Sequence, residues 1–122
     1  MEEGIAIDIF VGTKRFAGLL FENQTAESLL AQMPFETKLE DYAGNEQIFY
    51  PATALHTEGA LSGAKAQKGD IMYYAPWGDV ALFYKDFRFA AGLIPLGRVQ
   101  DIDALLRALP TTDSTVLFEI KR

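Results

Sequence analysis

The chain has 122 residues, of which 49% are hydrophobic and 23% charged, values typical of one globular domain covering residues 1–122. Its formal net charge of −6 argues against nucleic acid as a partner, and the absence of cysteine excludes disulfides and thiol chemistry. No apolar run approaches the ~20 residues that cross a bilayer, and the acidic start is unlike a signal peptide, so we expect a cytoplasmic protein without membrane contact.

The chain opens with a predicted β-hairpin followed by a helix. Residues 5–11 alternate apolar and polar side chains, Gly12-Thr13-Lys14 is a turn, and residues 15–22 are the returning strand. Thr25 is the expected N-cap of the helix, and Pro34 ends it. One helical face, at the spacing i, i+3, i+4, i+7, carries Ala26, Leu29, Leu30 and Met33.

The centre of the chain predicts shorter elements. Strands are expected at residues 35–40 and 47–50, and the small residues of 59–64 are typical of a connecting loop. A clearer hairpin follows, with strands at 71–75 and 80–84 joined by a tight turn of sequence Pro-Trp-Gly-Asp.

The last third predicts a strand, a second helix and a final strand. Residues 93–99 form an apolar strand in which Pro95 marks a bulge or an edge. Asp101 is the expected N-cap of the helix, Pro110 ends it, and residues 115–121 alternate as a half-exposed strand. The apolar face of this helix carries Ile102, Leu105, Leu106 and Leu109.

Strands therefore outnumber helices, and their spacing is that of hairpins rather than of alternating strands and helices. A closed antiparallel barrel is an economical arrangement for such strands because it leaves no exposed sheet edge. The sequence predicts a mainly β fold, a closed antiparallel barrel of about eight strands with two short amphipathic helices.

Three segments carry a family resemblance: residues 23–30 after the hairpin, residues 69–79 and residues 92–99. The most specific is Gly-Asp-Ile-Met-Tyr-Tyr-Ala-Pro-Trp-Gly-Asp at 69–79. With the order of elements, they resemble the cyclophilin fold, a closed barrel with one helix after the opening hairpin and another before the final strand. The similarity is closest to the small bacterial and archaeal cyclophilin-like proteins, a group without a characterised activity.

True cyclophilins are peptidyl-prolyl isomerases, and the chain departs from their catalytic pattern. Their catalytic arginine lies in a Phe-His-Arg-Ile-Ile-Pro segment after the first helix, whereas residues 33–69 contain no arginine. When residues 96–99 are set on the cyclophilin Phe-Gly-Lys-Val motif, Leu93 takes the position of the pocket histidine. The Gln-Gly-Gly-Asp segment of cyclophilins is absent too. The resemblance thus implies the fold without the catalytic set.

Aromatic residues are the best candidates for a ligand site. Trp77 occupies a Pro-Trp-Gly turn, where a large ring more often caps a pocket or an interface than fills a core. Tyr74 precedes the same turn, Tyr50 belongs to an upstream aromatic pair, and Glu46 offers a polar contact. Core packing is the alternative for the tyrosines, and plain turn solvation is the alternative for Glu46.

No motif for nucleophilic, phosphate or metal chemistry occurs in the sequence, so no catalytic residue is assigned. His56 is the only histidine and there is no cysteine, which leaves no usual ligand set for a transition metal. We expect neither a metal nor a cofactor.

Three functional interpretations remain open at this point. The first is a domain that binds a small molecule or a peptide on an aromatic platform of Tyr74 and Trp77. The second is an atypical prolyl isomerase that acts mainly by apolar desolvation of the proline ring. The third is a non-catalytic module whose aromatic patch joins it to a second copy of itself.

Overall fold

The computed structural model describes residues 4–121; residues 1–3 and 122 lie outside the described part. Within it the strands and helices follow the chain in one order. They are β1 (Gly4–Val11), β2 (Lys14–Phe21), α1 (Gln24–Leu30), β3 (Phe35–Lys38), β4 (Glu40–Tyr42), β5 (Glu46–Phe49), β6 (Gly63–Ala66), β7 (Asp70–Tyr74), β8 (Asp79–Phe83), β9 (Phe87–Ala91), β10 (Leu93–Val99), α2 (Ile102–Ala108) and β11 (Thr115–Ile120).

The main sheet is a nearly closed antiparallel barrel. Its nine strands run in the order β3-β11-β1-β2-β10-β7-β8-β5-β4. The two edge strands, β3 and β4, are separated in the chain by Leu39 alone, and Leu39 is buried. The ring of Phe35 on β3 lies 5.6 Å from that of Phe49 on β5, so the sheet curls back on itself. The predicted fold class is confirmed, with nine barrel strands where the sequence indicated about eight.

A second, two-stranded sheet covers part of the outside of the barrel. It pairs β6 with β9, and β6 also contacts β10. The alternation along β8 shows the two sides: Val80 and Leu82 belong to the main core inside the barrel, whereas Ala81 and Phe83 belong to a smaller core outside it. Strand β8 is buried on both faces for this reason.

Both helices turn their predicted apolar faces toward the main core. Helix α1 begins two residues earlier than expected and ends at Leu30, and its N-cap is Asn23 rather than Thr25. The Asn23 side chain accepts a hydrogen bond from the Ala26 N–H at 2.8 Å and donates one to the Pro95 carbonyl at 3.0 Å. Thr25 is instead buried inside the first turn, where it cannot cap. The predicted cap of α2, Asp101, is confirmed.

Strand β10 has the predicted bounds and the predicted irregularity. Its pairing with β7 shifts register between Pro95 and Gly97, a β-bulge that accommodates the missing N–H of proline. At Gly97 the backbone of β2 comes so close that an added Cβ would lie 1.9 Å from the Leu19 carbonyl oxygen. Neither helix of the described chain is long and apolar enough to cross a membrane.

The strands that the sequence analysis missed are short and weakly patterned. The expected strand 35–40 divides at Leu39 into β3 and β4, and all three residues of β4 are exposed, so they carry no apolar alternation. Strand β6 begins inside the expected loop 59–64, and its sequence is Gly-Ala-Lys-Ala. All five residues of strand β9 are half-buried or exposed. These segments become strands through their partners rather than through local propensity.

Candidate functional site

Trp77 is carried by the tight turn that joins β7 and β8. The N–H groups of Trp77 and Gly78 both donate to the Tyr74 carbonyl, at 3.1 and 2.8 Å, and Gly78 adopts a φ of 74°. Tyr74 and Asp79 face each other as the last pair of the β7–β8 ladder. The turn therefore places the indole at the end of the β7–β8 hairpin, where Trp77 is 51% exposed.

A close backbone approach holds this turn against the start of β10. Gly92 has a φ of 91°, and a Cβ added there would lie 2.7 Å from Cδ of Pro76. The Ala75 N–H also donates to the Gly92 carbonyl at 3.0 Å. Because Gly92 has no side chain, the Pro76–Trp77 segment packs directly on the β9–β10 junction.

A second hairpin, β4–β5, brings Tyr42 to the same place. Its turn is tied together by Asp41, whose carboxylate accepts hydrogen bonds from the Gly44 N–H at 3.0 Å, from Gln47 Nε2 at 3.3 Å and from the Tyr84 hydroxyl. The hydrogen bond to Asp41 raises the pKa of Tyr84 to about 12. Asp41 is thus already satisfied by its own hairpin and by Tyr84, which follows β8.

The rings of Tyr42, Tyr74 and Trp77 form a cluster at the surface. Trp77 meets Tyr42 at 5.3 Å and 85°, and it meets Tyr74 at 5.4 Å and 78°, both edge-to-face arrangements. The cluster stands over a cavity of about 220 Å³ that also receives Glu46, Asp79 and Arg88. We call this hollow, with these six residues, the aromatic pocket.

The aromatic pocket lies outside the barrel, not in its interior. Its apolar wall includes Phe83 and Leu93, which belong to the smaller core, and strand β9 closes it from the other side. The two sheets therefore build the pocket between them, and the main core remains filled.

Two carboxyl groups enter the pocket from neighbouring strands. Asp79, at the start of β8, is only 2% exposed, and within residues 4–121 its Oδ1 atom has no hydrogen-bond partner. Burial raises the pKa of Asp79. Burial also raises the pKa of Glu46 on β5; the Asn45 side chain opposes this shift, and the charges of Asp79 and Asp41 add to it.

Arg88 is the cationic group of the pocket. It is exposed on β9, and its guanidinium carbon lies 5.0 Å from the centre of the Phe87 ring, a cation–π contact. A wider groove of about 680 Å³ adjoins the other side of Arg88. The charged groups in that groove are more fully paired, since Arg98 donates to Asp70 at 3.1 Å. The aromatic pocket is therefore the better candidate site.

Three of the four residues selected from the sequence, Trp77, Tyr74 and Glu46, line the aromatic pocket. Tyr50 does not: it is 56% exposed and borders a separate groove with Gln32. Strand β5 ends at Phe49, and the chain then leaves the sheet before Pro51, so the alternation that directs Glu46 no longer applies to Tyr50.

Tyr42, Asp79 and Arg88 also line the pocket but are not among the site residues predicted from the sequence. A signal for Asp79 was available, because two-residue alternation puts it on the same face as Ala81 and Phe83, and a carboxylate on a buried face is unusual. Nothing local marks Tyr42 or Arg88. No group of three or more histidine or acidic side chains that could hold a metal ion occurs among residues 4–121.

The barrel and its two helices define a cyclophilin-like protein. The chain belongs to the cyclophilin-like family, whose model matches residues 9–121. Its fold is similar to the solution structure of a hypothetical protein from Archaeoglobus fulgidus, with a TM-score of 0.69 and 17% sequence identity over 99% of this chain and 98% of that one. No curated protein matches the chain in sequence.

Proposed function

We propose that this cyclophilin-like barrel binds a small molecule or a peptide segment in the aromatic pocket. The observation that carries the proposal is the arrangement of Tyr42, Tyr74 and Trp77: both tyrosine rings meet the indole edge-to-face, and all three rings stay partly exposed above a cavity. Ligand sites commonly combine such an apolar wall with a few polar groups, and here Glu46 and Asp79 supply them.

The exposure of the rings distinguishes this cluster from the core. Trp77 is 51% exposed and Tyr42 is 42% exposed, whereas the core rings Phe83 and Phe118 are each 1% exposed. Covering exposed apolar area stabilises a complex by about 25 cal/mol per Å² before the costs of association. A ligand seated against the rings would therefore gain from surface that folding leaves uncovered.

Truncation of the sole tryptophan tests the proposal. We expect Trp77→Ala to weaken binding by ~2 kcal/mol or more, as anchor residues do. We expect it to lower the free energy of unfolding by less than the ~3–5 kcal/mol typical of a fully buried ring. Binding is measured by amide chemical shifts during titration with a library of fragments and short peptides, and unfolding by urea denaturation.

Tyr50→Ala is the matched control, since Tyr50 is a similarly exposed ring outside the pocket. It should leave the affinity of every hit unchanged. If Trp77→Ala costs as much stability as Phe83→Ala and changes no binding, the proposal is wrong. If the pocket amides shift only as protein concentration rises, together with a doubling of mass in ultracentrifugation, a second copy of the chain occupies the surface instead.

A further inference from the structure

Two features of the aromatic pocket select for the charge of its ligand. The first is the ring cluster itself, because aromatic rings attract cations placed over their faces, and tryptophan does so most strongly. The second is the pair of carboxyl groups, Glu46 and Asp79, that enter the same cavity of about 220 Å³. Both features favour positive charge, and they come from four different strands and one turn.

We propose that the aromatic pocket binds an organic cation, an ammonium group carrying alkyl substituents, with Trp77 and the two tyrosines around the substituents and Asp79 as the counter-ion. This inference rests on the proposed function and narrows its ligand class. A cavity of this volume accommodates a head of about the size of a trimethylammonium group.

Asp79 carries the argument for charge. It is 2% exposed, yet its Oδ1 atom has no hydrogen-bond partner within the described residues. A buried carboxylate oxygen without a partner is unfavourable, and buried polar atoms in proteins are usually hydrogen-bonded. A bound cation supplies the missing partner from inside the cavity, and the raised pKa of Asp79 agrees with a site that lacks its positive charge.

Arg88 opposes a cation less than the two acids attract it. The guanidinium is exposed and rests over the Phe87 ring, so solvent and salt screen its charge. Glu46 and Asp79 are more buried, and Asp41 adds negative charge behind Glu46. The potential within the cavity is therefore set by the carboxylates, and Arg88 lies at its rim.

Three probes of nearly the same shape test this inference: choline, the neutral 3,3-dimethylbutan-1-ol and the anion 3,3-dimethylbutanoate. Each is titrated into the full chain at pH 7 and constant ionic strength, with Trp77 emission and pocket amide shifts as readouts. We expect choline to bind at least about tenfold more tightly than the neutral alcohol, and the anion to bind most weakly.

Charge-neutral variants assign the effect to the carboxylates. Asp79→Asn should weaken choline binding by about tenfold and leave the alcohol unchanged. Glu46→Gln, at a half-exposed position, should also weaken choline binding, but by less than Asp79→Asn. It replaces Asp79→Asn as the test if that variant fails to fold. Glu40→Gln, an exposed acid on β4 outside the pocket, should change neither affinity.

The outcomes separate this inference from the proposed function. Equal or tighter binding of the alcohol or the anion at the pocket contradicts the inference that the ligand is a cation. The proposed function would stand, because a ligand still binds in the pocket. The inference of a cationic ligand is also wrong if all three probes fail to bind while a fragment or peptide without positive charge binds in the pocket. If no compound or peptide of any charge perturbs the pocket, both proposals fall.

Discussion

At the residue scale, Asp79 is the most informative position of the chain. A turn residue at the end of a Pro-Trp-Gly segment is ordinarily solvated, but here the strand it begins is buried on both faces. The carboxyl group thus lines the same pocket as Trp77, and Asp79 is only 2% exposed. Groups held in unfavourable surroundings often mark functional sites, because the surroundings that bind a ligand need not be those that stabilise the free protein.

This environment predicts a pH dependence of stability. The folded-state pKa of Asp79 is raised above its ordinary value of 3.8, so the folded protein holds this proton more tightly than the unfolded chain. The stabilising contribution of the protonated group is therefore complete below about pH 4 and is lost as pH rises through the raised pKa. We expect Asp79→Asn to gain stability relative to wild type on going from pH 4 to pH 7, measured by urea unfolding.

Asp113→Asn provides a control of opposite sign. Hydrogen bonds from Thr115 lower the pKa of Asp113, one of them from the Thr115 N–H at 3.0 Å. Its carboxylate therefore stabilises the fold above its unfolded pKa, and this contribution is lost as pH falls. The Asp113→Asn variant should therefore lose stability relative to wild type as pH rises from about 2 to 5, the range around and below the unfolded pKa. If Asp79→Asn follows this trend as well, Asp79 is not held in an unfavourable site.

At the element scale, the β7–β8 turn owes its position to the β9–β10 junction. The contact between Gly92 and Pro76 is backbone against ring, with Tyr74 3.4 Å from the same absent Cβ. A side chain at Gly92 would push the turn away from β10. Trp77 and the Tyr74 ring would move with it.

We therefore expect Gly92→Ala to weaken ligand binding in the aromatic pocket and to change Trp77 emission, at a stability cost of about 2–3 kcal/mol. Gly12→Ala is the matched control, because Gly12 also has a positive φ, 60°, but meets nothing within 4 Å. It should cost about 1 kcal/mol and leave binding and emission unchanged. Equal effects of the two variants would show that strain alone, and not the Pro76 contact, matters at Gly92.

At the scale of the whole molecule, the arginines on the described strands, Arg15, Arg88 and Arg98, lie on the outside of the barrel. Arg15 is paired with Asp8 at 2.9 Å and Arg98 with Asp70 at 3.1 Å, both on the outside of the sheet. Arg88 lies over Phe87 at the rim of the aromatic pocket. None of the three is prearranged to donate to the nitrogen of a twisting prolyl amide inside a proline pocket.

We accordingly expect little prolyl isomerisation by the purified protein. Each 1.36 kcal/mol of lost transition-state stabilisation lowers the rate about tenfold, and a positioned charged donor contributes several kcal/mol. The value of kcat/KM on a proline peptide should be more than about tenfold below that of a true cyclophilin run as the positive control. A value inside that range would restore the atypical isomerase interpretation.

Much of the fold could be predicted because its signals are local. Period-two alternation identified β1, apolar runs on either side of a tight turn identified the β7–β8 hairpin, the spacing i, i+3, i+4, i+7 identified both helix faces, and Pro95 marked the bulge of β10. Each signal spans fewer than a dozen residues, so it does not depend on how distant segments pack. The cap of α1 was assigned to Thr25 instead of Asn23 because both are good caps and the deciding bond, to Pro95, is distant in sequence.

The sequence by itself determined a mainly β barrel with two amphipathic helices, and it directed attention to Trp77, Tyr74 and Glu46. Only the tertiary structure decided that Tyr42 and Asp79 join them and that Tyr50 does not. The physical reason is that the pocket is made by pairing across long separations, with β6 on β9 outside the barrel and β5 on β8 within it. Such pairings arise from the packing of the whole chain, and no local pattern encodes which rings and acids they bring together.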